Sequence, residues 1–312
     1  MRDWQLLALA ASVHGQLQHL LAIDALLDKY ACPFVYIDVG SNIGLQLNRL
    51  YRPETIPENN DGFARVFDDA FGAAPGRNCH VCAIGVEPNP RHARRLGKMQ
   101  ESFNAAGAGL YVIKAAASTT DGGTLTFFTQ AQRKGDRAVE GDQGASANAF
   151  SDARRGKEVQ NLEDRISVPT VDLAQVIHRV RSRLARRYDR EKSKIVIKID
   201  IESSEYAVVP HLVVNQGVCV VDVILMEWHA KLYHASRLQL NPLKLPPKEQ
   251  GHALLSGYIE MLEKWVSDTV AAPTSDCRTR LQNMEGNTMS RKNVRAFNAT
   301  KLPSINQLCA RA

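Results

Sequence analysis

The stretch that decides the fold runs Val35-Tyr36-Ile37-Asp38-Val39-Gly40-Ser41-Asn42-Ile43-Gly44. Its first residues are apolar and strand-forming, which is typical of a buried parallel strand. The two glycines mark a turn, and residues 45–50 continue with helical spacing that stops before Pro53. A strand, a glycine-rich turn and a helix form the first unit of a nucleotide-binding α/β domain, because such a turn lets a ligand approach the backbone and the first helical amides.

The chemistry of this turn indicates which ligand it suits. Its spacing is G-x-N-x-G, which differs from the G-x-G-x-x-G of pyrophosphate binders. Asp38, on the strand just before the turn, would place a carboxylate near the ligand, and a carboxylate suits a cation better than a diphosphate. S-adenosylmethionine carries an amine and a sulfonium, so we expect this cofactor.

Further apolar segments predict the rest of the sheet. Strands are expected at residues 79–86, 111–117, 195–200 and 218–226, and most are followed by helical patterns. This alternation predicts an α/β fold, namely a doubly wound, mostly parallel, Rossmann-like sheet with helices on both faces. Ligands of such sheets bind beyond the carboxyl ends of the strands. The residues expected at that edge are Asp38, Glu87, Ala116, Asp200 and Glu227.

Glu87 is the second ligand-binding candidate. It follows the second strand, and Asn89 can cap the next helix with Pro90 at its first position. An acidic side chain at this place can accept hydrogen bonds from both ribose hydroxyls of an adenosyl group. A solvated loop carboxylate is the alternative, and we favour the ribose role.

The domain organisation follows from changes in pattern along the chain. Residues 1–33 are expected to form a helical segment packed on the first strand, and residues 34–285 one domain. Two insertions are expected in it, an irregular one at 52–78 that covers the binding turn and a polar one at 130–165 that forms a mobile lid or substrate loop. Residues 121–128 predict a hairpin with the third strand, 277–285 a sixth strand, and 286–312 a loosely ordered tail.

Composition and charge limit the partners. The chain has 312 residues, 44% of them apolar, and a net charge of +6. Eight basic residues lie between positions 179 and 194 against two acidic ones, and such a stretch could bind RNA. Only one aromatic residue, Tyr188, is interleaved with these charges, fewer than RNA-binding surfaces use, so we favour a solvated helix end and expect no nucleic-acid partner.

Cysteine usage and hydropathy bear on the compartment. Six cysteines are too few and too scattered to predict a disulfide scaffold, and the C-x-x-C pattern at 79–82 has no second pair, so we interpret it as structural. No segment approaches 18 uninterrupted apolar residues, so no membrane span is predicted. A cytoplasmic location is expected. The sequon Asn298-Ala299-Thr300 keeps the lumen of the secretory pathway as the alternative, and the oligomeric state stays open.

Four separated motifs together resemble one family. They are Tyr36-Ile37-Asp38-Val39-Gly40-Ser41-Asn42-Ile43-Gly44, Val86-Glu87-Pro88-Asn89-Pro90, Lys198-Ile199-Asp200-Ile201-Glu202-Ser203-Ser204-Glu205-Tyr206 and Val223-Ile224-Leu225-Met226-Glu227-Trp228-His229. Their order and combination are similar to those of FkbM-type methyltransferases over about residues 34–229. The resemblance implies the class I S-adenosylmethionine-dependent fold and methylation of hydroxyls on sugars or small metabolites.

The resemblance also implies roles for individual residues. The methionine end of the cofactor would be held by the first turn, and the residues concerned are Asp38, Gly40, Ser41, Asn42 and Gly44. Glu87 would hold the ribose, Ala116 would lie against the adenine, and Asp200 would stand at the reaction edge.

A hydroxyl that attacks a methyl group must lose its proton, so a base is expected beside the cofactor. The catalytic candidates are Asp200, Glu227 and His229, with Asp200 or His229 as the base and Glu202 or Glu205 orienting the acceptor. No residue is assigned as a metal ligand, although the three candidates could instead bind a divalent cation that acidifies the hydroxyl. For His229, a helix-cap or packing role is an equal alternative.

Three other functions compete with methyl transfer. A nicotinamide-dependent dehydrogenase would use a related sheet, but the G-x-N-x-G spacing counts against it. An RNA-binding or RNA-modifying protein would use the basic stretch at 179–194. A cofactor-binding protein without activity is the last alternative.

Overall fold

The computed structural model describes residues 2–56, 62–74, 76–128, 151–152, 157–158, 165–202, 204–229, 257, 259–261, 263–268, 271 and 277–283. The predicted tail at 286–312 and most of the predicted lid at 130–165 lie outside these residues. The helices are α1 (Arg2–Tyr30), α2 (Leu45–Tyr51), α3 (Gly62–Phe71), α4 (Pro90–Ala105), α5 (Leu173–Ala185), α6 (Glu205–Val214) and α7 (Gly217–Val220). Short 3-10 turns lie at Pro53–Thr55, Gly76–Cys79 and Arg190–Lys192.

The strands form one large sheet and two small ones. The strands are β1 (Phe34–Val39), β2 (Val81–Val86), β3 (Gly109–Ile113), β4 (Ala116–Ser118), β5 (Thr124–Phe128), β6 (Ser151–Asp152), β7 (Lys157–Glu158), β8 (Arg165–Asp172), β9 (Lys194–Ile199), β10 (Val223–Met226) and β11 (Arg280–Asn283). The large sheet has the order β11-β10-β9-β1-β2-β3, and all of its strand pairs are parallel. Counted along the chain this is 3-2-1-4-5-6, the order of dinucleotide-binding folds.

Helices cover both faces of the large sheet, so the doubly wound prediction is confirmed. Successive strand residues point to opposite faces. Ile37 accordingly packs in one core with Ile23 of α1, Val176 of α5 and Val208 of α6. Its neighbour Tyr36 packs in a second core with residues of α2, α3 and α4, namely Leu47, Phe67 and Leu96.

The predicted hairpin at 121–128 is wrong. β5 pairs antiparallel with β8, and β4 pairs parallel with the same strand, so the small sheet has the order β4-β8-β5. The predicted third strand at 111–117 is therefore divided between two sheets, since β3 belongs to the large one. β8 follows β5 by more than thirty residues in sequence, and no local pattern indicates that it separates β4 from β5.

The stretch at 52–78 is not irregular throughout, contrary to expectation, because α3 lies in its middle. The buried residues of α3 are Phe63, Val66, Phe67, Ala70 and Phe71. Their i, i+3, i+4, i+7 and i+8 spacing is that of an amphipathic helix, so the signal was present between the prolines and glycines that obscured it. The helix packs into the core rather than covering the binding turn.

The last two predicted strands lie at one edge of the sheet. The predicted fifth strand at 218–226 begins as the short helix α7, and only its second half forms β10. The predicted sixth strand is confirmed as β11, which pairs parallel with β10. The N-terminal segment is helical as predicted, and α1 contacts β2, β3 and α5.

The basic stretch at 179–194 is largely paired within the protein. Arg179 contacts Asp24, and Arg183 and Arg187 contact Asp28, so these arginines join α5 and the residues after it to α1. Arg181 of α5 and Arg190 after it both contact Asp222. Lys192 contacts Asp189 in the segment that follows the helix.

Disulfides are present, contrary to the expectation from the sequence. Cys32, just before β1, is bonded to Cys82 of β2, and Cys219 of α7 is bonded to Cys277, just before β11. The partners are 50 and 58 residues apart in sequence and are brought together by the packing of the sheet. Cys82 of the C-x-x-C pattern is thus structural, as predicted. Within the described part of the chain, no helix has the length and apolarity needed to cross a membrane.

Removing the first disulfide is expected to lower stability substantially. In the Cys32→Ala/Cys82→Ala variant, the unfolded chain regains the freedom of a loop of about 50 residues, which the chain-entropy model equates with about 4 kcal/mol. Denaturant unfolding of the variant and the wild type measures the difference. Mapping of a non-reduced digest provides the control, because it must recover the Cys32–Cys82 peptide pair from the wild type. Failure to find this pair would contradict the prediction.

Candidate functional site

A cleft of about 570 Å³ opens at the carboxyl edge of the large sheet. It lies where the ends of β1, β2 and β9 meet, with β4 and β5 of the small sheet on the far side. Its lining residues are Val39, Gly40, Asn42, Val86, Glu87, Pro88, His92, Ala116, Ala117, Phe127, Asp200, Ile201, Glu202 and Ser204. Six residues predicted for the site, from four separate parts of the chain, line this one cleft, namely Gly40, Asn42, Glu87, Ala116, Asp200 and Glu202.

The turn after β1 requires glycine at position 40. Gly40 has a φ of +83°, and a Cβ atom built there would lie 1.8 Å from the backbone oxygen of Asp200. The close approach of the β1 and β9 ends therefore leaves no room for a side chain. The Gly40 amide donates to the Val86 carbonyl at 2.9 Å, which holds the turn against β2. Asn42 also has a left-handed backbone, with a φ of 51°.

Glu87 is held by the backbone on both carboxylate oxygens. The Asn42 amide donates to Oε2 at 2.6 Å, and the Asn89 amide donates to Oε1 at 2.8 Å. These bonds join the turn after β1 to the turn after β2. Burial raises the pKa of Glu87 to about 7, although both amides lower it. Asn89 caps α4 as predicted, because its side chain accepts a hydrogen bond from the Arg91 amide.

Three residues predicted to bind the cofactor do not line the cleft. Asp38 is fully buried behind the turn, and Ser41 is buried with its hydroxyl donating to the Asp38 carbonyl at 2.8 Å. Gly44 faces α4, where a Cβ would meet the side chains of Leu96 and Met99. Asp38, Ser41 and Gly44 thus support the turn on the side away from the cleft. Direct contact of any of them with a ligand stays a prediction.

The far wall of the cleft is formed by small side chains and one aromatic ring. Ala116 and Ala117 leave space above the sheet, and Phe127 of β5 closes that side. His92 of α4 is buried and also lines the cleft. Sequence reasoning singled out Ala116 but missed Phe127 and His92, because their approach depends on packing of elements that are distant along the chain.

Lys198 is a further residue that sequence reasoning missed. It is the buried lysine of β9, and its Nζ lies 2.6 Å from Asp200 Oδ2 and 3.7 Å from Asp38 Oδ1. Burial opposes the charge of Lys198, yet the two carboxylates raise its pKa well above the usual value. Burial likewise opposes the charge of Asp200, but Lys198 and His229 lower the pKa of this carboxyl. A lysine in the interior of an otherwise apolar strand is the signal that could have indicated this pairing.

His229 lies among several carboxyl groups next to the cleft. Its Nδ1 is 3.1 Å from Glu205 Oε1, and its backbone amide donates to the same oxygen at 2.7 Å. Its Nε2 faces Asp200 Oδ1 at 3.5 Å, Glu202 Oε2 at 3.7 Å and Glu227 Oε1 at 3.9 Å. The predicted catalytic residues are therefore brought together, although only Asp200 of the three lines the cleft.

The charges of this group act strongly on one another. Burial lowers the pKa of His229, but the hydrogen bond to Glu205 and the charges of Glu202 and Asp200 raise it to about 10. Burial raises the pKa of Glu202 to about 8 against the effect of His229, and burial and Asp200 raise the pKa of Glu227. Glu202 lines the cleft whereas Glu205 is fully buried, so Glu202 is the better placed of the two to contact a molecule in the cleft.

The fold and the site define a doubly wound α/β protein with a cleft at the carboxyl edge of its parallel sheet. Comparison of the chain with models of known families, with curated proteins and with solved structures finds no match.

Proposed function

We propose that this protein is an S-adenosylmethionine-dependent methyltransferase that acts on a hydroxyl group of a sugar, a glycan or a small metabolite. The observation that carries the proposal is the common cleft formed by residues of separate motifs, with Gly40 and Asn42 on one side and Glu87 on the next strand. A group of proton-accepting and charged side chains around Asp200 adjoins the same cleft.

The residues present fit the cofactor chemically. Gly40 lines the cleft without a side chain of its own, so a ligand can approach the backbone of this turn closely. The Glu87 carboxylate suits the two hydroxyls of a ribose. Ala116 and Ala117 leave room for a flat ring beside Phe127.

When bound, S-adenosylmethionine would supply an electrophilic methyl group on a sulfonium. The protein's own contribution is positioning and electrostatics, since displacement at a methyl group needs an aligned nucleophile and a suitable charge environment. Glu202 can orient the acceptor hydroxyl, because its side chain lines the cleft and also faces His229. The Lys198 ammonium keeps the Asp200 carboxylate ionised beside that position.

A nicotinamide dinucleotide is the second candidate ligand, because the strand order is the one found in dinucleotide-binding folds and an acidic residue after the second strand also suits NAD. The turn spacing continues to favour S-adenosylmethionine. The RNA-binding alternative is less favoured, since most of the arginines of the basic stretch contact aspartates of the protein itself.

We expect S-adenosylhomocysteine to bind with a micromolar Kd at pH 8 and about tenfold more weakly at pH 6. Ribose hydroxyls donate to the ionised form of Glu87, whose pKa is about 7 in the folded protein. Raising the pH through 7 therefore creates the acceptor that the ligand needs, and lowering it removes that acceptor. In Glu87→Gln the affinity is expected to fall and to vary little between these pH values. Calorimetric titration at both pH values measures these constants.

Two controls make this titration specific. Glu101→Gln on α4 changes an exposed glutamate of the same type and should leave the affinity and its pH dependence as in the wild type. NAD⁺ titrated under the same conditions tests the second candidate. A folded wild-type protein that binds NAD⁺ and not S-adenosylhomocysteine would remove the methyltransferase proposal.

For the compartment, we favour the lumen of the secretory pathway over the cytoplasm. Disulfides such as Cys32–Cys82 and Cys219–Cys277 form and persist in oxidising surroundings and are rare in the cytosol.

A further inference from the structure

We propose that Asp200, Glu227 and His229 bind one divalent cation of the first transition series, such as Mn²⁺ or Zn²⁺, next to the cofactor cleft. These residues come from the ends of two neighbouring parallel strands, since Asp200 follows β9 and the other two follow β10. One side-chain ligand atom of each lies within 4.8 Å of those of the others.

The separations between these atoms favour a shared ion over direct bonds. His229 Nε2 lies 3.5 Å from Asp200 Oδ1 and 3.9 Å from Glu227 Oε1, both of which are too long for good hydrogen bonds. Ligand atoms at about 2.1 Å from a tetrahedral Zn²⁺ lie about 3.4 Å from one another. The two separations from His229 Nε2 are thus near the spacing that a common cation imposes, and all three ligand atoms lie within 4.8 Å of one another. One imidazole with two carboxylates is a donor set for such ions, and three protein ligands leave a position open.

Glu205 is the second and independent observation. It is fully buried at the start of α6, and its Oε1 is 3.1 Å from His229 Nδ1. A carboxylate that accepts from Nδ1 directs the lone pair of Nε2 towards the other two ligands, as carboxylates behind metal-binding histidines do. Its other oxygen, Oε2, is buried and has no hydrogen-bond partner among the described residues. A cation bound at Nε2 would offset the negative charge that this unsatisfied oxygen leaves beside the imidazole.

The role of the ion rests on the proposed function, whereas its binding does not. A hydroxyl that occupies the open position has its pKa lowered by the cation, releases its proton to solvent and becomes a better nucleophile towards the methyl group. Binding of the ion to His229 likewise displaces the proton of Nε2 to solvent. Asp200 both lines the cleft and belongs to the proposed ion site, so the two would adjoin.

The test is titration of the full chain with Mn²⁺. Binding is monitored through the decrease of the electron paramagnetic resonance signal of the free ion. We expect one Mn²⁺ per chain, with affinity reduced by more than about tenfold in Asp200→Asn, Glu227→Gln and His229→Gln. His211→Gln is the matched control, because His211 is also partly buried and lies 3.0 Å from a carboxylate, Asp172, away from the site. Its affinity should equal that of the wild type.

A second measurement on the wild type covers the case in which a variant fails to fold. Pulsed electron paramagnetic resonance of the bound Mn²⁺ should detect the coupling of one imidazole nitrogen. No binding of Mn²⁺ or Zn²⁺ by the folded protein, a bound ion without nitrogen coupling, or equal binding by folded His229→Gln would each overturn the proposal. Calorimetry with S-adenosylhomocysteine on the same samples reports on the proposed function separately, so failure of one is distinguishable from failure of the other.

Discussion

Replacing Gly40 by alanine is expected to destabilise the protein by more than about 3 kcal/mol and to abolish binding of S-adenosylhomocysteine. Two costs add at this position. The backbone has a φ of +83°, which costs an L-residue with a side chain about 1–2 kcal/mol. The new Cβ would also lie 1.8 Å from the Asp200 carbonyl oxygen, so β1 and β9 would have to move apart at the cleft. Denaturant unfolding and calorimetric titration measure the two effects.

Gly97→Ala on α4 is the matched control. No atom lies within 4 Å of a Cβ built at Gly97, and the position is within a helix, so the substitution should stabilise the protein by up to about 1 kcal/mol. Both variants change the entropy of the unfolded chain in the same way, so their difference reports on the folded state. A Gly40→Ala protein within about 1 kcal/mol of the wild type would contradict the close approach described here.

Replacing Lys198 by methionine is expected to cost about 3–5 kcal/mol near pH 7, because the variant leaves the buried carboxyl groups of Asp38 and Asp200 without their cation. The deficit should shrink as the pH falls towards 4. In the wild type, Lys198 keeps the pKa of Asp200 below its unfolded value, so this carboxylate keeps its stabilising effect down to about pH 4. Without Lys198, burial raises the pKa of Asp200 above the unfolded value, so the variant regains stability as this carboxyl binds a proton between pH 7 and pH 4. Unfolding free energies measured from pH 7 to pH 4 test the prediction.

Two further variants separate lost charge pairing from lost packing. Lys198→Met combined with Asp38→Asn should recover part of the stability, because it removes one of the two unpaired charges. Lys264→Met breaks an exposed pair with Asp268 and should cost less than about 1 kcal/mol. A double variant no more stable than Lys198→Met would indicate that the cost arises from packing.

The fold could be predicted because its signals are local. Each of the apolar runs 34–39, 81–86 and 194–199 is followed by a polar or glycine residue and then by a helical pattern, and parallel strands joined in this way have few possible arrangements. The same rule brings the carboxyl ends of these strands to one edge. For that reason Gly40, Glu87 and Asp200 could be expected in a common cleft before any contact between them was known.

Other features could not be predicted because they depend on pairing between distant segments. The separation of β4 and β5 by β8 and the bonding of Cys32 to Cys82 are of this kind. The helix α3 is a different case, since its apolar spacing is readable in the sequence but is flanked by prolines and glycines that suggest a loop.

The sequence by itself determined the strand, the glycine-containing turn and the helix that begin the fold, and the polar residues that end the strands. Backbone conformation and the alternation of apolar residues depend on near neighbours, so short segments of the sequence are enough to predict them. Only the tertiary structure decided that Asp38 turns inward to Lys198 and that His229 lies between Glu205 and Asp200. Those contacts depend on the order and register of strands that are far apart in the chain, and burial then makes their charges interact strongly.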